Sequence, residues 1–151
     1  MNDRAAMAIA LEEARAAVEH GDVPVGAVVL GPSGVVLARR HNERELQGDP
    51  TAHAEILALR DAARNLGAWR LDEASLIVTL EPCPMCAGAA WAARLGRLVF
   101  GAADPRAGAT GSLYNLCADP RLNHELPVQG GIEAEAAGVL LTAFFAERRD
   151  R

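Results

Sequence analysis

The chain has 151 residues, half of them hydrophobic and 23% charged, and a formal net charge of −5. These figures fit one globular domain over 1–151 with a single core, and they argue against a disordered chain or a broadly basic nucleic-acid binder. No apolar run approaches the ~20 residues of a membrane-spanning helix, and Met1-Asn2-Asp3-Arg4 lacks a signal-peptide layout, so a cytoplasmic protein is expected.

In chain order, Met7, Ala10, Leu11, Ala14 and Val18 recur at helical spacing, predicting a helix over 3–19 stopped by His20-Gly21-Asp22. Val25 to Leu30 and Val35 to Arg39 flank the turn residues Gly31-Pro32-Ser33-Gly34, which predicts a hairpin. Residues 40–50 are polar and read as a loop, with His20 and His41 as exposed or capping histidines. Thr51 is the expected N-cap of a second helix, whose buried stripe is Ala52, Ile56, Leu59, Ala63 and Leu66, ending at Gly67. Ser75 to Leu80 reads as a third strand, and Pro84 suits the first turn of a helix running to about Arg94. Leu98 to Gly101 reads as a fourth strand, 102–127 as a long loop, Val128 to Ile132 as a short fifth strand and 133–149 as a last helix. Trp69 and Trp91 are expected to pack in the core or at an interface. A hairpin followed by alternating helices and strands predicts an α/β fold, a mixed five-stranded sheet between helices. Both motifs described next fall at helix starts, where α/β sheets place ligands.

The chemistry-bearing residues are His53-Ala54-Glu55 and Pro82-Cys83-Pro84-Met85-Cys86. Cys83 and Cys86 are three apart at a helix N-terminus, so both sulfurs can point to one centre, and the helix dipole favours their thiolates. His53 adds an imidazole. Three ligands and an open position describe catalytic zinc, whereas structural zinc takes four. Two thiolates cancel the charge of zinc and leave a weaker Lewis acid than three imidazoles would, which can still activate water but is helped by a nearby base that takes the proton. Glu55 is the candidate base. H-x-E with P-C-x-x-C is the signature of the zinc nucleobase deaminases.

Other readings are weaker. A C-P-M-C pair at a helix start also suits a thioredoxin-like redox site, but that leaves His53-Ala54-Glu55 unexplained. A closed structural site would need Cys117 or His124 as fourth ligand, and neither shows ligand spacing. Cys117, the odd cysteine in a chain with no disulfide pattern, is expected to be a free, buried or half-buried thiol. The absence of lysine among the 15 basic residues is read as compositional bias, so RNA contacts must come from local arginine clusters.

From Val23 onward the chain resembles the bacterial tRNA-specific adenosine deaminases, which make inosine at the wobble position (34) of tRNA anticodons. The resemblance rests on Val23-Pro24-Val25-Gly26-Ala27-Val28, Asp49 to Glu55, Thr79 to Ala89, Val99-Phe100-Gly101-Ala102, Gly111-Ser112-Leu113, Asn123-His124 and Phe144 to Arg149. It implies a cytidine deaminase-like three-layer α/β/α sandwich, one zinc per subunit, a homodimer, and an anticodon stem-loop whose adenosine is flipped into the pocket. It further implies that Asn42 holds the purine. Asp104, Arg106 and Asn123 match loop positions that touch neighbouring nucleotides, and Phe144, Phe145, Arg148 and Arg149 match a tail that meets RNA. One of the two phenylalanines is nonetheless expected in the core. Arginine rather than lysine at 106 and the lack of a basic extension after Arg149 lead to an expectation of weak non-specific RNA binding. The runner-up is a deaminase of a free base or nucleotide such as guanine, cytosine or dCMP. A catalytically silent RNA-binding protein is a third reading, disfavoured by the intact Glu55.

Overall fold

The computed structural model describes residues 1–149, and Asp150 and Arg151 lie outside the described residues. Along the chain come α1 (Asp3–Val18), β1 (Gly26–Leu30), β2 (Val36–His41), α2 (Arg44–Gln47), α3 (Ala54–Leu66), β3 (Ser75–Leu80), α4 (Pro84–Ala92), β4 (Arg97–Ala102), β5 (Val128–Gln129) and α5 (Ala134–Arg149). The strands form a mixed sheet in the order β2-β1-β3-β4-β5. β1 pairs antiparallel with β2 and β3, while β3–β4 and β4–β5 are parallel.

Side-chain alternation in the strands decides where the helices lie. Ala27, Val29, Leu76, Val78 and Leu98 face one way and pack with Ala54, Ala58 and Ala62 of α3 and Ala90 of α4. Val28, Leu30, Ile77 and Val99 face the other way, against Met7, Ala10 and Leu11 of α1 and Ala137 of α5. Period-two strands buried on both faces require a helix layer on each. The expected three-layer α/β/α sandwich and mixed five-stranded sheet are therefore present. Small residues let the layers approach closely. At Gly26 a Cβ would overlap the carbonyl oxygen of Ala10, so α1 lies directly on β1 and only glycine fits.

Several features differ from the sequence expectation. Residues 40–50 are not all loop: Arg40 and His41 extend β2, and 44–47 form α2, too short to leave a periodic signal. Thr51 does not cap α3. Its hydroxyl donates to Asp49 (2.9 Å), while position 53 is the cap and Asn42 supplies the accepting oxygen for the Ala54 N–H (2.8 Å). The buried face of α3 is Ala54, Glu55, Leu57, Ala58, Leu59 and Ala62, whereas Leu66 is exposed and Ile56 and Ala63 are half-buried. Apolar residues occupy two faces of this helix, and periodicity alone does not say which meets the sheet. The fifth strand shrinks to Val128–Gln129, with only two residues paired to β4.

Candidate active site

The starts of α3 and α4 meet beside the start of β1 and the end of β3. His53 is extended (φ −77°, ψ 150°) immediately before α3, and Glu55 lies in the first helical turn. Cys83 is likewise extended before α4, Pro84 opens that helix, and Cys86 is buried in its first turn. Proline at this position costs no hydrogen bond, because the first N–H groups of a helix have no internal partner. The two starts bring His53 Nδ1 to 3.6 Å from Cys83 Sγ and 3.5 Å from Cys86 Sγ. All three donor atoms lie within 4.8 Å of one another, the sole such group of three or more among the described residues.

The environment sets the proton affinities. Cys83 is pulled down to about 4, chiefly by the side-chain hydrogen bond from Cys86, with His53 adding to it and burial opposing. Cys86 is pushed up by its hydrogen bond with Cys83 and by burial. His53 is raised, first by its hydrogen bond with Cys83. Glu55 is only 4% exposed, and burial is the leading cause that raises its carboxyl above the ordinary range. A thiolate-favouring cysteine suits metal binding, and a carboxylate made more basic by burial suits proton transfer.

His53, Glu55 and Cys83 line a small inner cavity of about 170 Å3, joined there by Asn42, Asp104 and Arg44. A larger outer groove of about 820 Å3 adjoins it, sharing Val23, Leu80 and Asp104, and its wall carries Arg106, Phe145, Arg148 and Arg149. Asn42 donates from Nδ2 to the Val23 carbonyl (3.1 Å) and accepts from Ala54 N–H, so it caps α3 and leaves one amide hydrogen and one lone pair uncommitted. Asp104 Oδ1 accepts from the N–H groups of Arg106 and Ala107. Phe144 is buried, as expected for one of the pair, and Phe145 is 44% exposed with its ring edge-on to Phe144. Arg148 lies 4.5 Å over the Phe144 ring and donates to the Gly21 carbonyl, so its guanidinium already has partners within the chain. Asn123 is exposed, pairs with His124 Nδ1 (2.9 Å) and lines neither cavity.

Cys117 and His124 stand outside the donor group. Cys117 is a buried free thiol in the core, raised to about 11 by burial. His124 stacks on Trp91 with ring centres 4.6 Å apart, and its Nε2 lies 2.9 Å from the Trp91 carbonyl oxygen.

Several residues at the site were not singled out from sequence. Buried Asp22 caps α2 from a distance by accepting from the N–H groups of Glu45 (2.9 Å) and Leu46 (3.2 Å), which holds Arg44 at the inner cavity. His20 and His41 are partnered, contrary to expectation. They form a chain from Asp22 to His20 (2.7 Å), His20 to His41 (3.1 Å) and His41 to Glu13 (2.9 Å). The His20-Gly21-Asp22 spacing is the one local hint of it, since the other links span 21 and 28 residues. Glu81 also lines the inner cavity.

Comparison with known proteins places this chain in a family. Residues 1–135 match the model of the MafB19-like deaminases. The chain belongs to the MafB19-like deaminase family. The sequence resemblance to tRNA-specific adenosine deaminases also extends over the deaminase as a whole: it is 47% identical to the tRNA-specific adenosine deaminase of Bacillus subtilis, over 99% of this chain and 92% of that one. A solved structure from studies of A-to-I editing by tRNA:A34 deaminases at the wobble position of transfer RNA superposes with a TM-score of 0.87 at 43% identity, covering 91% of this chain and 99% of the other. The guanine deaminase of Nitrosomonas europaea shares the fold at a TM-score of 0.79 and 28% identity, over 95% of this chain and 84% of that one.

Proposed function

We propose that this deaminase converts adenosine to inosine at the wobble position of tRNA anticodons, with zinc held by His53, Cys83 and Cys86 and with Glu55 moving the protons. The donor set fits zinc. A tetrahedral ion with Zn–N of about 2.0–2.1 Å and Zn–S of about 2.3 Å separates nitrogen from sulfur by about 3.6 Å. The observed separations are 3.6 and 3.5 Å. When bound, zinc makes a water nucleophilic at neutral pH. Glu55 takes the proton of the attacking water and returns protons to the purine ring nitrogen and to the departing amine, so adenosine and water leave as inosine and ammonia. A silent scaffold has no use for this carboxylate, and burying an ionisable group without a task is costly.

The observation that carries the choice of substrate is the pairing of a small inner cavity with a larger arginine-bearing groove. At about 170 Å3 the inner space is below the ~300–1,000 Å3 of ordinary ligand pockets and suits a single base ring system. The adjoining groove offers Arg106 and Arg149 for phosphates and the exposed ring of Phe145 for stacking on a splayed base. A free-base enzyme needs the inner space alone. Ammonia release and inosine formation, measured with an anticodon stem-loop, guanine, cytosine and dCMP in parallel, test this. Turnover is expected with the stem-loop only, and efficient turnover of a free base or nucleotide would reverse the assignment.

The protein is further proposed to work in the cytoplasm as a homodimer. No helix among the described residues is long and apolar enough to cross a membrane. Ile56, Ala63, Trp69, Ala89 and Ala93 line an apolar groove between α3 and α4, and Trp69 is 62% exposed. A second copy would cover this unpartnered face of α3, the same face that blurred its helical pattern. Sedimentation equilibrium is expected to give twice the chain mass, and a monomer at micromolar concentration would contradict it.

A further inference from the structure

Glu81 has no part in the reaction described above, yet it is buried (2% exposed) between the last residue of β3 and Pro82-Cys83. Its partners all come from loop 104–112. Oε1 accepts from the Asp104 N–H (3.0 Å) and from the Ser112 hydroxyl. Oε2 accepts from the N–H groups of Thr110 (3.1 Å) and Ser112 (3.0 Å). These hydrogen bonds hold its carboxyl below the ordinary range against the opposing effect of burial, the largest single influence. The main chain adds two ties: Glu81 N–H donates to the Ala102 carbonyl and Ala109 N–H donates to that of Pro82, both at 2.8 Å. A Cβ on Gly108 would overlap the Glu81 carboxyl group, so the loop backbone is wrapped directly over the carboxylate. The same loop supplies Asp104 and Ala107 to the inner cavity and Arg106 to the outer groove. Two residues beyond Glu81 stands Cys83.

We propose that Glu81 is a positioning residue that fixes loop 104–112 relative to the Cys83 end of the site, and so sets the wall that receives the nucleotide entering the inner cavity. The nucleotide in this statement rests on the function proposed above. The positioning itself does not. A carboxylate is the one side chain of this size that offers acceptors on both ends, and both ends here meet backbone N–H groups, which cannot reverse.

Glu81→Gln keeps the shape and turns one acceptor into a donor. With its amide NH2 at the Oε2 position it would oppose two backbone N–H groups, Thr110 and Ser112. At the Oε1 position it meets the Ser112 hydroxyl, which can rotate to accept, and opposes only Asp104 N–H. The second arrangement is the cheaper, so the variant releases the loop at Asp104 while Thr110 and Ser112 stay tied.

The test compares wild type, Glu81→Gln and Gly108→Ala in the zinc-loaded protein, using amide hydrogen exchange, zinc content and kinetics on an anticodon stem-loop. Exchange in 104–107 is expected to speed up about tenfold or more with core amides unchanged, because local opening is freed without global loss. KM is expected to rise about tenfold while kcat stays within about threefold, the pattern of lost substrate positioning rather than lost chemistry. Gly108→Ala pushes on the same contact from the loop side and gives the same signature if Glu81→Gln fails to fold. Unchanged exchange at 104–107, or a fall in kcat with KM unchanged, overturns the proposal. If wild type fails to act on the stem-loop, the function is wrong, and the exchange measurement still judges Glu81.

Discussion

Glu55→Ala is expected to fold, retain one zinc per chain and lose at least about 100-fold to 10,000-fold in turnover of anticodon RNA, the range that a positioned proton-transfer group contributes. Glu55 is not among the three clustered donors, so the metal keeps its ligands. It is 4% exposed, with a carboxyl pushed up mainly by burial, so it is destabilised as an anion in the folded chain. Truncation therefore removes a buried carboxyl whose charged form burial disfavours, together with its hydrogen bond to Cys86, and thermal stability should change little while activity collapses. That separation of function from stability is the mark of a catalytic residue rather than a structural one. Single-turnover inosine formation, read beside zinc content and a melting curve, checks this. Wild-type turnover in the variant would remove Glu55 from the mechanism.

What was legible in the sequence is what is local in the sequence. Cys83 and Cys86 sit within one helical turn, Pro84 marks that turn, and His53 and Glu55 lie at the start of another, so the three clustered donors and the carboxylate beside them could be singled out before any fold was known. The apolar runs Val25 to Leu30 and Ser75 to Leu80 read as strands for the same reason, and the order of elements along the chain gave the sheet between helices. Contacts bridging distant segments were not legible. Asn42 reaches 12 residues forward to cap α3, a task the local pattern assigned to Thr51. Asp22 reaches 23 residues forward to Glu45 to cap a helix too short to announce itself. Glu81 directly precedes Pro82-Cys83-Pro84-Met85-Cys86, but its partners are backbone amides 23 to 31 residues away, and backbone amides carry no sequence signature. The α3 stripe was misplaced because a helix with apolar residues on two faces has no single period to read. The tail shows the same limit: Arg148 looked free for RNA, and in the fold it is held by Phe144 and the Gly21 carbonyl.

Cys83→Ser is expected to abolish stoichiometric zinc binding and activity while leaving a folded, less stable chain. A serine hydroxyl stays protonated near neutral pH, whereas Cys83 is pulled down to about 4 and is a thiolate there, so the substitution removes an anionic ligand and not merely a sulfur atom. The remaining His53 and Cys86 make a two-donor site. Binding free energy that the folded site collects and the unfolded chain cannot is folding free energy, and its loss lowers the melting temperature. At this chain length each ~1 kcal/mol corresponds to about 2–4 °C, so a drop of several degrees is expected. Complete unfolding is not expected, because β1, the central residues of β3, and Leu98 and Val99 of β4 are buried in two apolar clusters that include none of the three donors. This separates the protein from small zinc domains whose core is the metal itself. A chelator should lower the wild-type melting temperature toward that of Cys83→Ser and leave the variant unmoved, since both treatments remove the same ligand linkage. Full zinc occupancy in Cys83→Ser, or a chelator shift equal in both proteins, would mean that the metal is held by some other set of donors.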